Sequence, residues 1–169
     1  VDILSNASNC QVKMSVEVTA DAFSYHSIGV TAIRDSANCH YEGDTDIHTT
    51  GEQGTGNYEY DGYLDAKAIW DSTGSSYDGD IRITGKNMAN LRVWGAMGTF
   101  CSMEGDILVD TDQVSDVFAV GTGGRGSRFK GNVLVEGNKN MVAYGISSYI
   151  PDFGEIVFGN RTAEDCQIN

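Results

Sequence analysis

One proline (Pro151) in 169 residues, and only 11 lysines and arginines against 24 aspartates and glutamates, are the first scarcities that bound this chain. So little proline, with 21 glycines scattered rather than run together, excludes a collagen-like repeat and a glycine–serine or proline-rich linker. A net charge of −13 leaves few cations to release counterions from phosphate, which excludes nucleic acid as a partner. No stretch approaches the roughly 20 apolar residues of a membrane helix, so no membrane insertion is expected. The N-terminus carries no signal-peptide pattern. It starts at Val1 rather than methionine, which reads as a processed or cut product.

Metal and thiol chemistry are equally thin. The four cysteines, Cys10, Cys39, Cys101 and Cys166, form no C-x-x-C pair, and the three histidines lack zinc spacing, so no metal site and no cofactor are expected. Cys10, Cys39 and Cys101 each lie just ahead of a strand pattern. Cys10 and Cys39 fall on adjacent repeats, close enough for a disulfide if geometry allows, but buried free thiols are the expected state. Gly121-Thr122-Gly123-Gly124-Arg125-Gly126 opens no helix and lacks the Gly-Lys-Ser/Thr ending of a phosphate loop. Asn160-Arg161-Thr162 is a formal glycosylation sequon, meaningful only along a eukaryotic secretory route.

What the chain does have is repetition. Ala32-Ile33-Arg34-Asp35-Ser36 returns 36 residues later as Ala68-Ile69-Trp70-Asp71-Ser72, and Tyr41-Glu42-Gly43-Asp44 as Tyr77-Asp78-Gly79-Asp80. The period then tightens to 26, from Gly79-Asp80-Ile81-Arg82-Ile83 to Gly105-Asp106-Ile107-Leu108-Val109 and on to Gly131-Asn132-Val133-Leu134-Val135. A step of 23 reaches Gly154-Glu155-Ile156-Val157-Phe158. Fixed periods of this size mark a solenoid, whose repeats bury their apolar faces only by stacking.

Each repeat alternates with period two, which places Ile81 with Ile83, Ile107 with Val109 and Val133 with Val135 on one inward face. Tyr41, Tyr77, Met103 and Phe129, each two residues ahead of the repeat glycine, would stack as a core ladder at about 4.8 Å. Second strands end in Gly95, Gly121 and Gly145, where a corner would use the freedom of glycine to take positive φ. Third strands are expected near 99–103 and 125–129. The sum is a single all-β domain over 1–169, a parallel β-helix (β-solenoid) of five to six coils with three short strands each. Residues 49–60 form a loop insertion at one corner. The two ends, Cys10-Gln11-Val12 and Cys166-Gln167-Ile168, resemble each other, so the stack is expected to continue into a partner chain or neighbouring domain.

Outward positions carry the candidates for function. One row reads Asp44, Asp80, Asp106, Asn132, Glu155, and another His48, Thr84, Asp110, Glu136. Neighbouring pairs, Asp80 with Asp106 and Asp110 with Glu136, could act as nucleophile and acid in glycoside cleavage. A solvated acidic ladder is the simpler reading. The row between, Asp46, Arg82, Leu108, Leu134, Val157, turns from charged to apolar, and its Leu108–Leu134–Val157 stripe is expected at a homo-oligomer interface. Trp94, Phe118 and Tyr144 are outward aromatics that could join that interface or stack on sugar rings.

The corner followed by Met103-Glu104-Gly105-Asp106-Ile107-Leu108-Val109 or Phe129-Lys130-Gly131-Asn132-Val133-Leu134-Val135, then a polar turn and a second strand ending in glycine, resembles right-handed parallel β-helices. These belong to the pectate-lyase-like class, and in particular to bacteriophage tailspikes. Asn9-Cys10-Gln11-Val12 and Asp165-Cys166-Gln167-Ile168 also look like strand starts of that class. The resemblance covers roughly 10–169 and specifies architecture. It implies a virion or extracellular location, assembly as a homotrimer, and binding or cleavage of surface polysaccharide, and it carries no catalytic residue over. The expected function is a structural and glycan- or receptor-binding module of such an appendage. The alternative is a polysaccharide hydrolase or lyase using Asp110, Glu136, Asp80 or Asp106. A two-sheet jelly roll does not require a constant spacing, and an ice-binding solenoid is disfavoured because no outward Thr-x-Thr array repeats.

Overall fold

The computed structural model describes residues 1–22, 27–51, 62–137, 140–146 and 167–168. Its elements are β1 (Asp2–Ser5), β2 (Gln11–Lys13), β3 (Val16–Ala22), β4 (Ser27–Arg34), β5 (His40–Glu42), β6 (Thr45–Gly51), β7 (Tyr63–Thr73) and β8 (Ser76–Asp78). They continue as β9 (Ile81–Thr99), β10 (Ser102–Glu104), β11 (Ile107–Thr122), β12 (Arg128–Lys130), β13 (Val133–Glu136), β14 (Asn140–Ile146) and β15 (Gln167–Ile168). No helix occurs among the described residues.

Every pairing is parallel, and three ladders wind around a common interior. The first runs β3–β6–β9–β11–β13. The second runs β1–β4–β7–β9–β11–β14 through the later halves of β9 and β11. The third runs β2–β5–β8–β10–β12–β15. This is a parallel β-solenoid. It completes about four turns, against the five to six expected, with steps of 29, then 36, then 26 residues. β15 places Gln167 opposite Arg128 and Ile168 opposite Phe129. The similar Gln11-Val12 pair holds the corresponding rung at the other end of that ladder.

Three separate strands per coil is also corrected in part. β9 and β11 each run unbroken through two faces. Asn87 and Gln113, at φ 53° and 58°, make the bend while Lys86–Asp112 and Met88–Val114 stay paired around them. A single left-handed residue turns both strands together, so their ladder survives the corner. The third strands sit slightly later than expected, at Ser102–Glu104 and Arg128–Lys130. Of the 49–60 insertion, Thr49 and Thr50 belong to β6, paired with Ala20 and Asp21. Residues 52–61 lie outside the described residues.

The interior is the expected set of columns. Ile81, Ile83, Ile107 and Val109 are buried on the first ladder, and Leu64, Leu91 and Val117 on the second. Tyr41, Tyr77, Met103 and Phe129 are buried in register on the third. Each such side chain contributes about 1.5–3 kcal/mol by leaving water. Tyr41 and Tyr77 stack with ring centroids 5.2 Å apart and planes 4° from parallel. The Tyr77 hydroxyl lies 3.0 Å from Thr45 Oγ1 and 3.1 Å from the Asp80 carbonyl oxygen, which satisfies its polar end inside the core. Cys10, Cys39 and Cys101 are free thiols, and Cys166 lies outside the described residues.

The glycines do a different job from the one expected. Gly95 sits in β9 without a left-handed backbone. It is needed because a Cβ there would strike the Gly121 carbonyl of the next coil. Positive φ belongs instead to the repeat glycines Gly43, Gly79, Gly105 and Gly131, at 139–156°. A Cβ on Gly105 would also overlap the Gly79 carbonyl oxygen. Gly105→Ala is therefore expected to cost about 2 kcal/mol or more. Gly29→Ala, whose added methyl meets nothing within 4 Å, should stay within about 0.5 kcal/mol of the parent. Urea unfolding of the two variants side by side checks the contrast.

Candidate functional site

The Gly-Asp corners build a ladder of carboxylates and main-chain amides. After the glycine, the N–H of the next residue points back toward the preceding coil, and the aspartate there accepts it. Asp80 N donates to Asp44 Oδ1 at 2.9 Å, Asp106 N to Asp80 Oδ1 at 2.8 Å and Asn132 N to Asp106 Oδ1 at 2.8 Å. Arg82 crosses the column. Its Nη1 donates to Asp44 Oδ2 at 2.7 Å and Asp46 Oδ1 at 3.4 Å, and its Nη2 to Asp80 Oδ2 at 2.6 Å. One oxygen of Asp80 and one of Asp106 thus hold coils together, while the other oxygen of Asp80 pairs with Arg82 of its own coil. Glu155, the last member of the row, lies outside the described residues.

Asp110 and Glu136 are placed otherwise. They stand directly opposite each other on adjacent rungs of β11 and β13, and both are exposed. Thr84 stands opposite Asp110 on the other side. Arg82, Thr84, Leu108, Asp110, Leu134 and Glu136 line a shallow depression of about 210 Å³. Leu108 and Leu134 are in register in a column that begins with Glu17, Asp46 and Arg82. Leu134 is 51% exposed and Leu108 half-buried. Val157 lies outside the described residues. A cleft with two carboxylates beside an aliphatic strip can offer acid–base chemistry or an amphipathic contact.

The aromatics lie on the second ladder, outside the interior, where Trp94 and Val120 are opposite. Trp94 is not an open ring. It is 2% exposed, and its Nε1 donates to Asp65 Oδ1 at 2.8 Å. Its ring contacts Phe118 at 5.1 Å and Trp70 at 5.9 Å between centroids. Lys67, ion-paired with Asp65, reaches over Trp70 at 4.7 Å. Edge and tilted contacts of this kind suit the ring quadrupoles, so these aromatics pack as a second apolar cluster with Met97 and Val120. Phe118 is half-buried. Tyr144 stands opposite Val120 on β14, its side chain outside the description.

Two exposed aromatics, Tyr63 and Phe100, escaped the sequence reading. Phe100 holds φ 54° and is 64% exposed, in a left-handed column whose other members are Asn9, Asn38, Gly74 and Gly126. Asn and Gly adopt that conformation readily, whereas a bulky phenylalanine there is an outlier. The signal was the interruption of an Asn/Gly pattern, legible only once the 29-residue and 36-residue steps were aligned. Among the described residues, no group of three or more His, Cys, Asp or Glu side chains could hold a metal ion. Searches of protein families, curated proteins and solved structures found no match to this chain.

The ladder fixes a pH response. The Asp80 amide, and then the Arg82 guanidinium, hold the Asp44 carboxyl below its ordinary value of 3.8. A depressed folded-state value adds stability above the unfolded value, and that stability is lost as pH falls through the folded one. Urea midpoints are therefore expected to drop between about pH 5 and about pH 2, and Asp44→Asn should drop less over the same range. Parallel titrations of the two proteins provide the check.

Proposed function

We propose that this chain is a structural β-helical module of a spike-like surface appendage, of the bacteriophage tailspike kind. In this reading it works on a virion or outside the cell, assembles laterally with copies of itself as a homotrimer, and presents its outer faces to surface polysaccharide. The observation that carries the reading is the Leu108–Leu134 pair. It is aliphatic and in register, with Leu134 exposed and Leu108 half-buried, in a column whose earlier members are charged. Contiguous exposed apolar positions on a parallel ladder favour burial against a partner, and a cyclic assembly brings the same stripe of each copy to one axis. The Asp44–Asp80–Asp106–Asn132 ladder supports a structural part for this face, since its carboxylates accept main-chain amides of the next coil. The expected behaviour is a trimer in solution. Leu108→Lys with Leu134→Lys should yield monomers that keep a β-rich circular dichroism spectrum. An unchanged mass in light scattering refutes the interface.

A second reading rests on Asp110 and Glu136. Opposite positions on adjacent rungs lie about 4.8 Å apart along the ladder, close to the roughly 5–5.5 Å carboxylate separation of retaining glycosidases. Reducing ends released from bacterial surface polysaccharide, and lost in both Asp110→Asn and Glu136→Gln, would favour the hydrolase over the purely structural module.

A further inference from the structure

Ahead of the third ladder, each coil contributes one small side chain to a single column: Cys10, Cys39, Ser75, Cys101 and Ser127. The main chain fixes this alignment. His40 N donates to the Cys10 carbonyl at 2.9 Å, Ser76 N to that of Cys39 at 2.8 Å, Ser102 N to that of Ser75 at 3.0 Å and Arg128 N to that of Cys101 at 2.9 Å.

Where a serine follows a cysteine, its hydroxyl takes a main-chain amide. Cys39 N donates to Ser75 Oγ at 3.2 Å, and Cys101 N to Ser127 Oγ at 3.1 Å. Cys101 is thereby flanked by two serines, and its thiol is turned toward the carbonyls of Ser72 and Thr99. Among the described residues, the step from Cys10 to Cys39 is the one in the column where a thiol stands against a thiol. Neighbouring parallel rungs are about 4.8 Å apart, inside the Cα window of about 4.4–6.8 Å that a disulfide spans. Exposure differs across the pair: Cys10 is half-buried and Cys39 is 1% exposed.

We propose that Cys10 and Cys39 are an oxidisable pair that closes into an inter-coil disulfide on exchange with a soluble disulfide such as oxidised glutathione, while Cys101 stays reduced. Cys10, the accessible thiol, loses its proton to water and attacks one sulfur of the reagent. The reagent's S–S bond breaks, and one reduced thiol leaves. Cys39 then loses its proton and attacks the Cys10 sulfur of the mixed disulfide, expelling the second reduced thiol. Two protein thiols are oxidised, one reagent disulfide is reduced to two thiols, and one S–S bond is formed for one broken. Contact with Cys39, more than burial, holds the Cys10 thiol above its ordinary value. The thiolate is therefore scarce near neutrality, and closure quickens as pH rises. The link ties β2 to β5 and so clasps the outermost described coil onto the next, where a solenoid frays most readily. This inference is independent of the proposed spike assembly.

The test is disulfide mapping of the intact chain after incubation with oxidised glutathione at neutral and at alkaline pH. Trypsin leaves Cys10 on residues 1–13 and Cys39 on residues 35–67, so the link appears as these two peptides joined until reductant is added. The expected result is that joined species, formed faster at alkaline pH, with Cys101 alkylated only after denaturation and a melting temperature that rises and falls reversibly with oxidation. Cys101→Ser should still form it, and Cys39→Ser should stop at glutathione on Cys10. A stable mixed disulfide at Cys10 in the parent, or Cys10 joined to any cysteine other than Cys39, overturns the proposal. Because the mapping is done on the parent chain, the answer does not depend on whether any variant folds.

Discussion

The constraint on which everything else depends is that each coil must sit on the one before it with its main-chain N–H and C=O groups paired rung to rung. Parallel ladders place identical positions of successive coils about 4.8 Å apart, so a residue type is acceptable only if it tolerates its own counterpart as a neighbour. Glycine meets that demand at 43, 79, 105 and 131, where a side chain would overlap the carbonyl of the adjoining coil. Flat rings meet it at Tyr41 and Tyr77 by stacking. Aspartate meets it by a different device, since like charges one rung apart repel. Its carboxylate accepts the next coil's amide, and Arg82 bridges three of the carboxylates, Asp44, Asp46 and Asp80, with its one positive charge.

That device divides the outer surface by chemistry. Carboxylates at the Gly-Asp corners accept main-chain amides of the next coil, whereas Asp110 and Glu136, four residues further on, are exposed. Leu108 and Leu134 occupy the column between. There the early coils carry Glu17, Asp46 and Arg82, so the change to leucine is local to the later coils. The same ladder therefore presents a cross-braced charged region and an open apolar one, and the functional reading rests on that difference.

The second ladder shows how a side chain can leave the interior without becoming surface. Trp94 points away from the solenoid core and is nonetheless buried, because Asp65 takes its indole N–H while Trp70 and Phe118 take its ring. Lys67 spans the gap by pairing with Asp65 and lying over Trp70. A cluster of this kind stiffens the outer wall, as the inner columns stiffen the core.

Much of this was legible in the chain itself. Period and alternation determine the parallel solenoid, the inward Ile81–Ile83 and Ile107–Val109 pairs, and the Tyr41–Tyr77–Met103–Phe129 column, because an in-register stack converts sequence spacing directly into neighbourhood. Tertiary structure alone decided what depends on direction rather than spacing. It showed that the Asp80 and Asp106 carboxylates turn to amides, that Trp94 is covered by residues of other rungs, and that Gly95 serves close approach while Gly105 serves the turn. It also showed that the faces of β9 and β11 join through Asn87 and Gln113. The physical reason is that periodicity fixes which residues share a column, whereas the orientation of an amide or a ring is set by coils that lie 26, 29 or 36 residues away.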